Sequence, residues 1–186
     1  MATTPSQTGS DRLALIIMGV SGSGKTTVGL RLAETCALDF VDGDDLHSPE
    51  ARAKMASGAP LNDEDRWPWL DRIGAALADP EKRPAGLIVA CSALRRVYRD
   101  RLRARAGPAL RFLFLAGDKA LMRERVGRRK GHYMPASLVD SQFAALEDPR
   151  RESDVVTLAA DADLDAALPD TLRRLGGGWA RFGDAR

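Results

Sequence analysis

The segment Gly19-Val20-Ser21-Gly22-Ser23-Gly24-Lys25-Thr26 fits the spacing G-x-x-x-x-G-K-[ST] in full. Glycines at these positions let the backbone wrap closely and aim its N–H groups inward. A helix opening at Lys25 would add partial positive charge where phosphates sit. In such a cradle Lys25 reaches the β- and γ-phosphates and the Thr26 hydroxyl ligates Mg²⁺. Thr27, next along, belongs with the nucleotide-binding residues. The context fits as well: the apolar run Leu13 to Met18 precedes the glycines, and Val28, Leu32 and Cys36 follow at helical spacing.

Two features separate transfer from hydrolysis. The only asparagine is Asn62, followed by Asp63, so the Asn-Lys-x-Asp motif of GTP-binding switches is absent. The candidate strands end Ala90-Cys91-Ser92 and Leu115-Ala116-Gly117-Asp118, without the Asp-Glu pair that orients a hydrolytic water. Phosphoryl transfer to a bound acceptor is therefore favoured over hydrolysis.

A second short run ends in Val41-Asp42-Gly43-Asp44-Asp45-Leu46-His47. In an open parallel sheet, ligands bind outside the carboxyl ends of strands, so this acidic turn is expected to face the cradle. A carboxylate there can accept a proton from an attacking hydroxyl or hold water on Mg²⁺. Asp44 is assigned to the acceptor hydroxyl and the base role, and Asp42 to the outer shell of Mg²⁺. His47 is a candidate substrate contact, although a single histidine after a turn is more often a cap or surface residue. Zinc is not indicated, since His47, His132, Cys36 and Cys91 lack its ligand spacing.

Arginines form two groups. Arg123, Arg125, Arg128, Arg129 and Lys130 cluster at a predicted helix end, before Gly131-His132-Tyr133-Met134-Pro135. Arg123 and Lys130 suit the helix dipole. Arg125 and Arg129 read instead as a mobile lid over the phosphates, excluding water. The second group is Arg95, Arg96, Arg99, Arg101, Arg103 and Arg105. Leu94, Val97, Tyr98 and Leu102 make the apolar stripe there, so most of these arginines read as a solvated face. Arg95 and Arg96 lie nearest the strand end, where an Arg fork suits an acceptor carboxylate.

The positioning elements alternate. Strands are expected at 13–18, 38–41, 86–90, 110–115 and 155–159. Helices are expected after the glycine-rich turn and over about 49–57, 62–78, 93–106, 118–129, 136–147 and 164–175. Ser48-Pro49 and the acids Asp63, Glu64 and Asp65 mark helix starts. Alternation of this kind predicts an α/β fold: three α/β/α layers around a five-stranded parallel sheet. One domain is expected over 12–175, with a lid at about 125–136. Residues 1–11 read as a disordered tail and 176–186 as a C-terminal tail.

The chain has 186 residues, 44% hydrophobic and 29% charged, with a net charge of +2. That balance suits a globular domain and indicates neither nucleic acid nor membrane as a partner. No apolar run approaches the roughly 20 residues of a membrane helix. The polar start and two cysteines among apolar neighbours point to free thiols and a cytoplasmic setting. An RNA-binding role for the 95–105 face is the competing reading from a different class, and it predicts binding that falls steeply with salt.

Taken together, the residues resemble the gluconate kinase family, within the larger group of shikimate, adenylylsulfate and nucleoside-monophosphate kinases. The resemblance is carried by Met18 to Thr26, Asp42-Gly43-Asp44-Asp45-Leu46-His47, Pro60 to Leu70, Cys91-Ser92-Ala93-Leu94, Tyr98-Arg99-Asp100, Gly131-His132-Tyr133-Met134, Ser141-Gln142-Phe143 and Leu146-Glu147. It implies ATP-dependent, Mg²⁺-assisted phosphorylation of D-gluconate at the 6-hydroxyl, by a homodimer. A kinase of the same fold acting on another small acid, such as shikimate, is the runner-up. By the same resemblance Arg125 would stack on adenine, Arg129 would contact phosphates, and Asp44, Arg66, Ser92 and His132 would line the acceptor side. Tyr133 stands where Phe is expected, and Trp67 where a smaller apolar residue is expected.

Overall fold

The computed structural model describes residues 13–81, 83–128 and 136–183. Strands β1 (Leu13–Met18), β2 (Asp39–Asp42), β3 (Gly86–Ala90), β4 (Leu110–Ala116) and β5 (Val155–Ala159) form one sheet in the order β2-β3-β1-β4-β5. All its pairings are parallel. The helices are α1 (Lys25–Cys36), α2 (Pro49–Ala56), α3 (Asp63–Ala78), α4 (Arg96–Ala106), α5 (Lys119–Gly127), α6 (Ala136–Ala145), α7 (Leu164–Leu175) and α8 (Ala180–Gly183).

Alternation along the central strand builds the layers, because successive side chains point to opposite faces. Leu13, Leu15 and Ile17 pack with Leu32 of α1 and with Leu168 and Leu172 of α7. Ala14, Ile16 and Met18 pack with Leu70 and Ile73 of α3 and Leu102 of α4. Every residue of β1 and β3 is buried, which explains why both read as unbroken apolar runs. The three-layer α/β/α expectation is met.

The boundaries differ in informative places. Strand β2 extends to Asp42, so that carboxylate closes the strand rather than following it. Helix α4 begins at Arg96, not Ala93, because Ala93 takes a left-handed backbone (φ 43) that no α-helix allows. The C-terminal tail expected from residue 176 is corrected in part. Residues 177–183 form a 3-10 turn and α8, and Trp179, only 2% exposed, fills the α1/α7 side of the core. An indole of that size cannot stay in water when an apolar pocket is within reach. The stretch 1–11, Arg129, Lys130, His132, Tyr133 and most of the expected lid lie outside the described residues.

Candidate active site

The loop from β1 to α1 turns on glycine. Gly22 (φ 85) and Gly24 (φ 95) hold left-handed backbones that side chains disfavour, and a Cβ on Gly22 would press on the Met122 carbonyl at 2.9 Å. A Cβ on Gly24 would meet nothing within 4 Å, so this glycine borders open space at the mouth of α1. Lys25 Nζ arches back across the loop and donates to the carbonyls of Gly19 (3.0 Å) and Val20 (3.1 Å). The Ser23 hydroxyl is buried in the loop and has no hydrogen-bond partner among the described residues. A helix N-terminus, an ammonium and an orphaned hydroxyl together suit an anionic, oxygen-rich ligand such as a polyphosphate.

Asp42 connects this cradle to the neighbouring strand end. Its Oδ2 accepts from the Thr26 hydroxyl at 3.3 Å, and its Oδ1 accepts from the Asp44 N–H at 3.1 Å. The second bond caps the 3-10 turn Gly43–Leu46 that presents Asp44. The Asp44 side chain is 82% exposed at the rim. Surrounding protein first, and the Asp42 carboxylate second, raise its carboxyl above the ordinary aspartate range. Thr26 and Asp42 thus meet as an oxygen pair beside the cradle that could hold a hard cation, with Asp44 adjacent.

His47 is 5% exposed, stacked on Trp69 with ring centroids 4.3 Å apart. Burial, then Arg72, Arg66 and Arg52, pull its pKa down to about 4, so the ring is neutral near pH 7. Trp69 Nε1 donates to the Gly43 carbonyl at 2.7 Å, and Arg72 Nε donates to the Leu46 carbonyl at 2.7 Å. The histidine is thus part of the platform beneath the acidic turn.

A cavity of about 380 Å³ opens on the other flank. Gly22, Gly24, Thr27, Leu115, Leu158 and Ala160 are among its walls, and Arg125 closes it by donating to the Ala160 carbonyl at 2.9 Å. Its apolar wall and guanidinium face suit a flat heteroaromatic ring. Arg125, expected at the nucleotide, lines this cavity; Arg129 lies outside the described residues.

On the acceptor flank, the Ser92 carbonyl accepts from the Gly19 N–H at 3.4 Å, placing the β3 end against the cradle. Arg95 Nη1 donates to Asp63 Oδ2 (2.7 Å) and to the Tyr98 hydroxyl (3.3 Å), while Arg66 lies 3.5 Å from that hydroxyl. The Tyr98 hydroxyl, then Arg95, hold the Asp63 carboxyl below the usual range. Arg66 and Arg95 thus meet around Tyr98 on α4, and His132 is not among the described residues.

Spacing alone missed Arg99, which is 0% exposed while Val97, assigned to the apolar stripe, is 43% exposed. Arg99 donates to the carbonyls of Ala93 and Leu94 (2.9 Å each) and of Glu147 (3.1 Å), and pairs with Glu152. It thereby holds the left-handed link after Ser92. The available signal was its place three residues before Leu102, on the buried side. The rest of the basic face is largely neutralised: Arg95 pairs with Asp63, Arg101 and Arg105 with Asp71, and Arg103 with Glu152 and Asp154. These pairs commit most of the arginines on this face to carboxylates of the chain itself.

Cradle, flanking heteroaromatic cavity and opposed acidic turn, at the strand ends of a parallel sheet, define a P-loop phosphotransferase. The AAA domain family matches residues 15–152. The thermosensitive gluconokinase of Escherichia coli (strain K12) is 46% identical over 153 residues, covering 81% of each chain. The crystal structure of a gluconokinase from Sinorhizobium meliloti 1021 superimposes with a TM-score of 0.77 at 43% identity, covering 94% of this chain and 95% of that one. Shikimate kinase from Aquifex aeolicus vf5 shares the fold alone, with a TM-score of 0.54 at 14% identity over 89% of this chain and 100% of that one. The chain belongs to the gluconokinase family.

Proposed function

We propose that this protein transfers the γ-phosphoryl group of ATP to the 6-hydroxyl of D-gluconate, giving 6-phospho-D-gluconate and ADP. The observation that carries this reading is the Thr26–Asp42–Asp44 relay, which sets a rim carboxylate beside the phosphate cradle. Family membership supplies the acceptor. Asp44 accepts the hydroxyl proton as the alcohol oxygen bonds to the γ-phosphorus and the bond to the β–γ bridging oxygen breaks. Lys25 exchanges its bonds to the Gly19 and Val20 carbonyls for the β- and γ-phosphate oxygens.

Thr26 would ligate Mg²⁺ directly and Asp42 through water; bound there, Mg²⁺ offsets phosphate charge. Arg66, Ser92 and His132 line the acceptor side, with His47 acting through the platform it shares with Trp69. Arg125 faces adenine, and Arg129 contacts phosphates from the lid of about 125–136. The protein acts in the cytoplasm as a homodimer.

An ADP-release assay across gluconate, shikimate, glycerate and adenylylsulfate tests the acceptor. Gluconate is expected to drive release at a rate the others do not approach. Preference for shikimate or glycerate would replace the acceptor while keeping the cradle chemistry.

A further inference from the structure

The cradle has a polar visitor from a distant part of the chain. The Ser21 N–H donates to Gln142 Oε1 of α6 at 2.6 Å. We propose that Gln142 reads the terminal phosphate of the nucleotide: its carboxamide oxygen holds the Ser21 amide until a γ-phosphoryl oxygen takes that bond, and its NH₂ group then donates to the same phosphoryl group. This rests on the kinase reading of the cradle.

Position supports it. The Lys25 ammonium, which serves the β- and γ-phosphates, rests on the Gly19 and Val20 carbonyls. The next amide along the loop is that of Ser21, so the carboxamide oxygen stands at the terminal-phosphate end, where an acceptor oxygen is wanted. Chemistry supports it as well. A carboxamide carries an acceptor and two donor hydrogens on one carbon, so a turn about its last bond changes a partner for N–H into a partner for phosphate.

Anchorage is the third support. Val139 and Phe143 of α6 pack with Val20 of the cradle and with Leu94 of the β3–α4 link. Beyond the helix, the Glu147 N–H donates to the Leu94 carbonyl at 3.0 Å, and the Glu147 carboxylate accepts from the Arg96 N–H at 2.6 Å. The backbone around Gln142 is therefore tied to both the donor loop and the acceptor flank. Only its side chain is left to respond to the ligand.

Gln142→Glu is the discriminating variant. It keeps length and an acceptor for the Ser21 amide, removes the donor and adds a negative charge facing the γ-phosphate. Titration calorimetry with Mg²⁺ would compare a non-hydrolysable ATP analogue with ADP. The analogue is expected to weaken on the order of ten- to hundredfold, while ADP changes by less than about threefold, because only the analogue carries the group being read. Equal losses for both nucleotides, or no loss, would overturn the proposal, since a purely structural glutamine has no way to tell them apart. If that variant does not fold, Gln142→Met serves: the preference for triphosphate over diphosphate should fall on the order of tenfold, and an unchanged preference overturns the proposal. Wild-type protein binding neither nucleotide would overturn the cradle reading and this inference together. Gluconate-dependent turnover with unaltered preference in the variants would sink the inference alone.

Discussion

At the scale of single residues, Lys25 has no substitute among the described residues, where its ammonium alone rests on the cradle carbonyls. Lys25→Ala is expected to abolish gluconate-dependent ADP release; near-normal turnover would remove its assigned role. Asp44→Asn keeps shape but cannot take a proton, and its kcat should fall roughly 10²–10⁴-fold. Because the Asp44 carboxyl is raised, wild-type turnover should begin to fall on acidification above the ordinary aspartate range, and that limb should vanish in the Asn variant. His47 makes a different kind of prediction. Its pKa drops from 6.5 in a free side chain to about 4 in the fold, so the unfolded chain takes up the proton first as pH falls. Stability is therefore complete above about 6.5 and declines down to about 4, by on the order of 3 kcal/mol. Urea midpoints across that window should slope in wild type and flatten in His47→Phe, which retains a ring to stack on Trp69.

Among elements, the link between β3 and α4 is held by one side chain. Arg99→Ala would leave the Glu152 carboxylate short of a partner and free the Ala93 and Leu94 carbonyls, at a cost of about 3–5 kcal/mol. Arg99→Lys should rescue little, since an ammonium cannot reproduce the fork that spans these acceptors; denaturant midpoints of both variants decide this. The cradle was legible in the sequence because its spacing is a property of backbone geometry, and β1 and β3 were legible because burial on both faces leaves no polar position. That the acidic turn faces the cradle was expected from topology alone, and the Thr26–Asp42 bond is the form this takes. What stayed hidden was side-chain traffic between distant elements. The spacing before Leu102 puts Arg99 on the buried side, but what sets it apart from the paired, partly exposed Arg101 and Arg103 is the set of Ala93, Leu94 and Glu147 carbonyls that only the folded link presents. Gln142 was hidden for the same reason, its partner being 121 positions away.

At the level of the whole molecule, the last turns belong to the core rather than to an appendage. Trp179→Ala should lower stability by about 3–5 kcal/mol, the usual cost of emptying a buried aromatic site, read as a loss of urea midpoint. An unchanged midpoint would return residues 177–183 to the status of a tail. The strand order carries a consequence of its own. The heteroaromatic cavity lies at the ends of β4 and β5, whereas the acidic turn and Ser92 lie at the ends of β2 and β3, with β1 between them. Among the described residues, the two regions thus lie on opposite sides of the β1–α1 loop. Steady-state kinetics should accordingly show random addition: ADP competing with ATP, but not with the sugar acid.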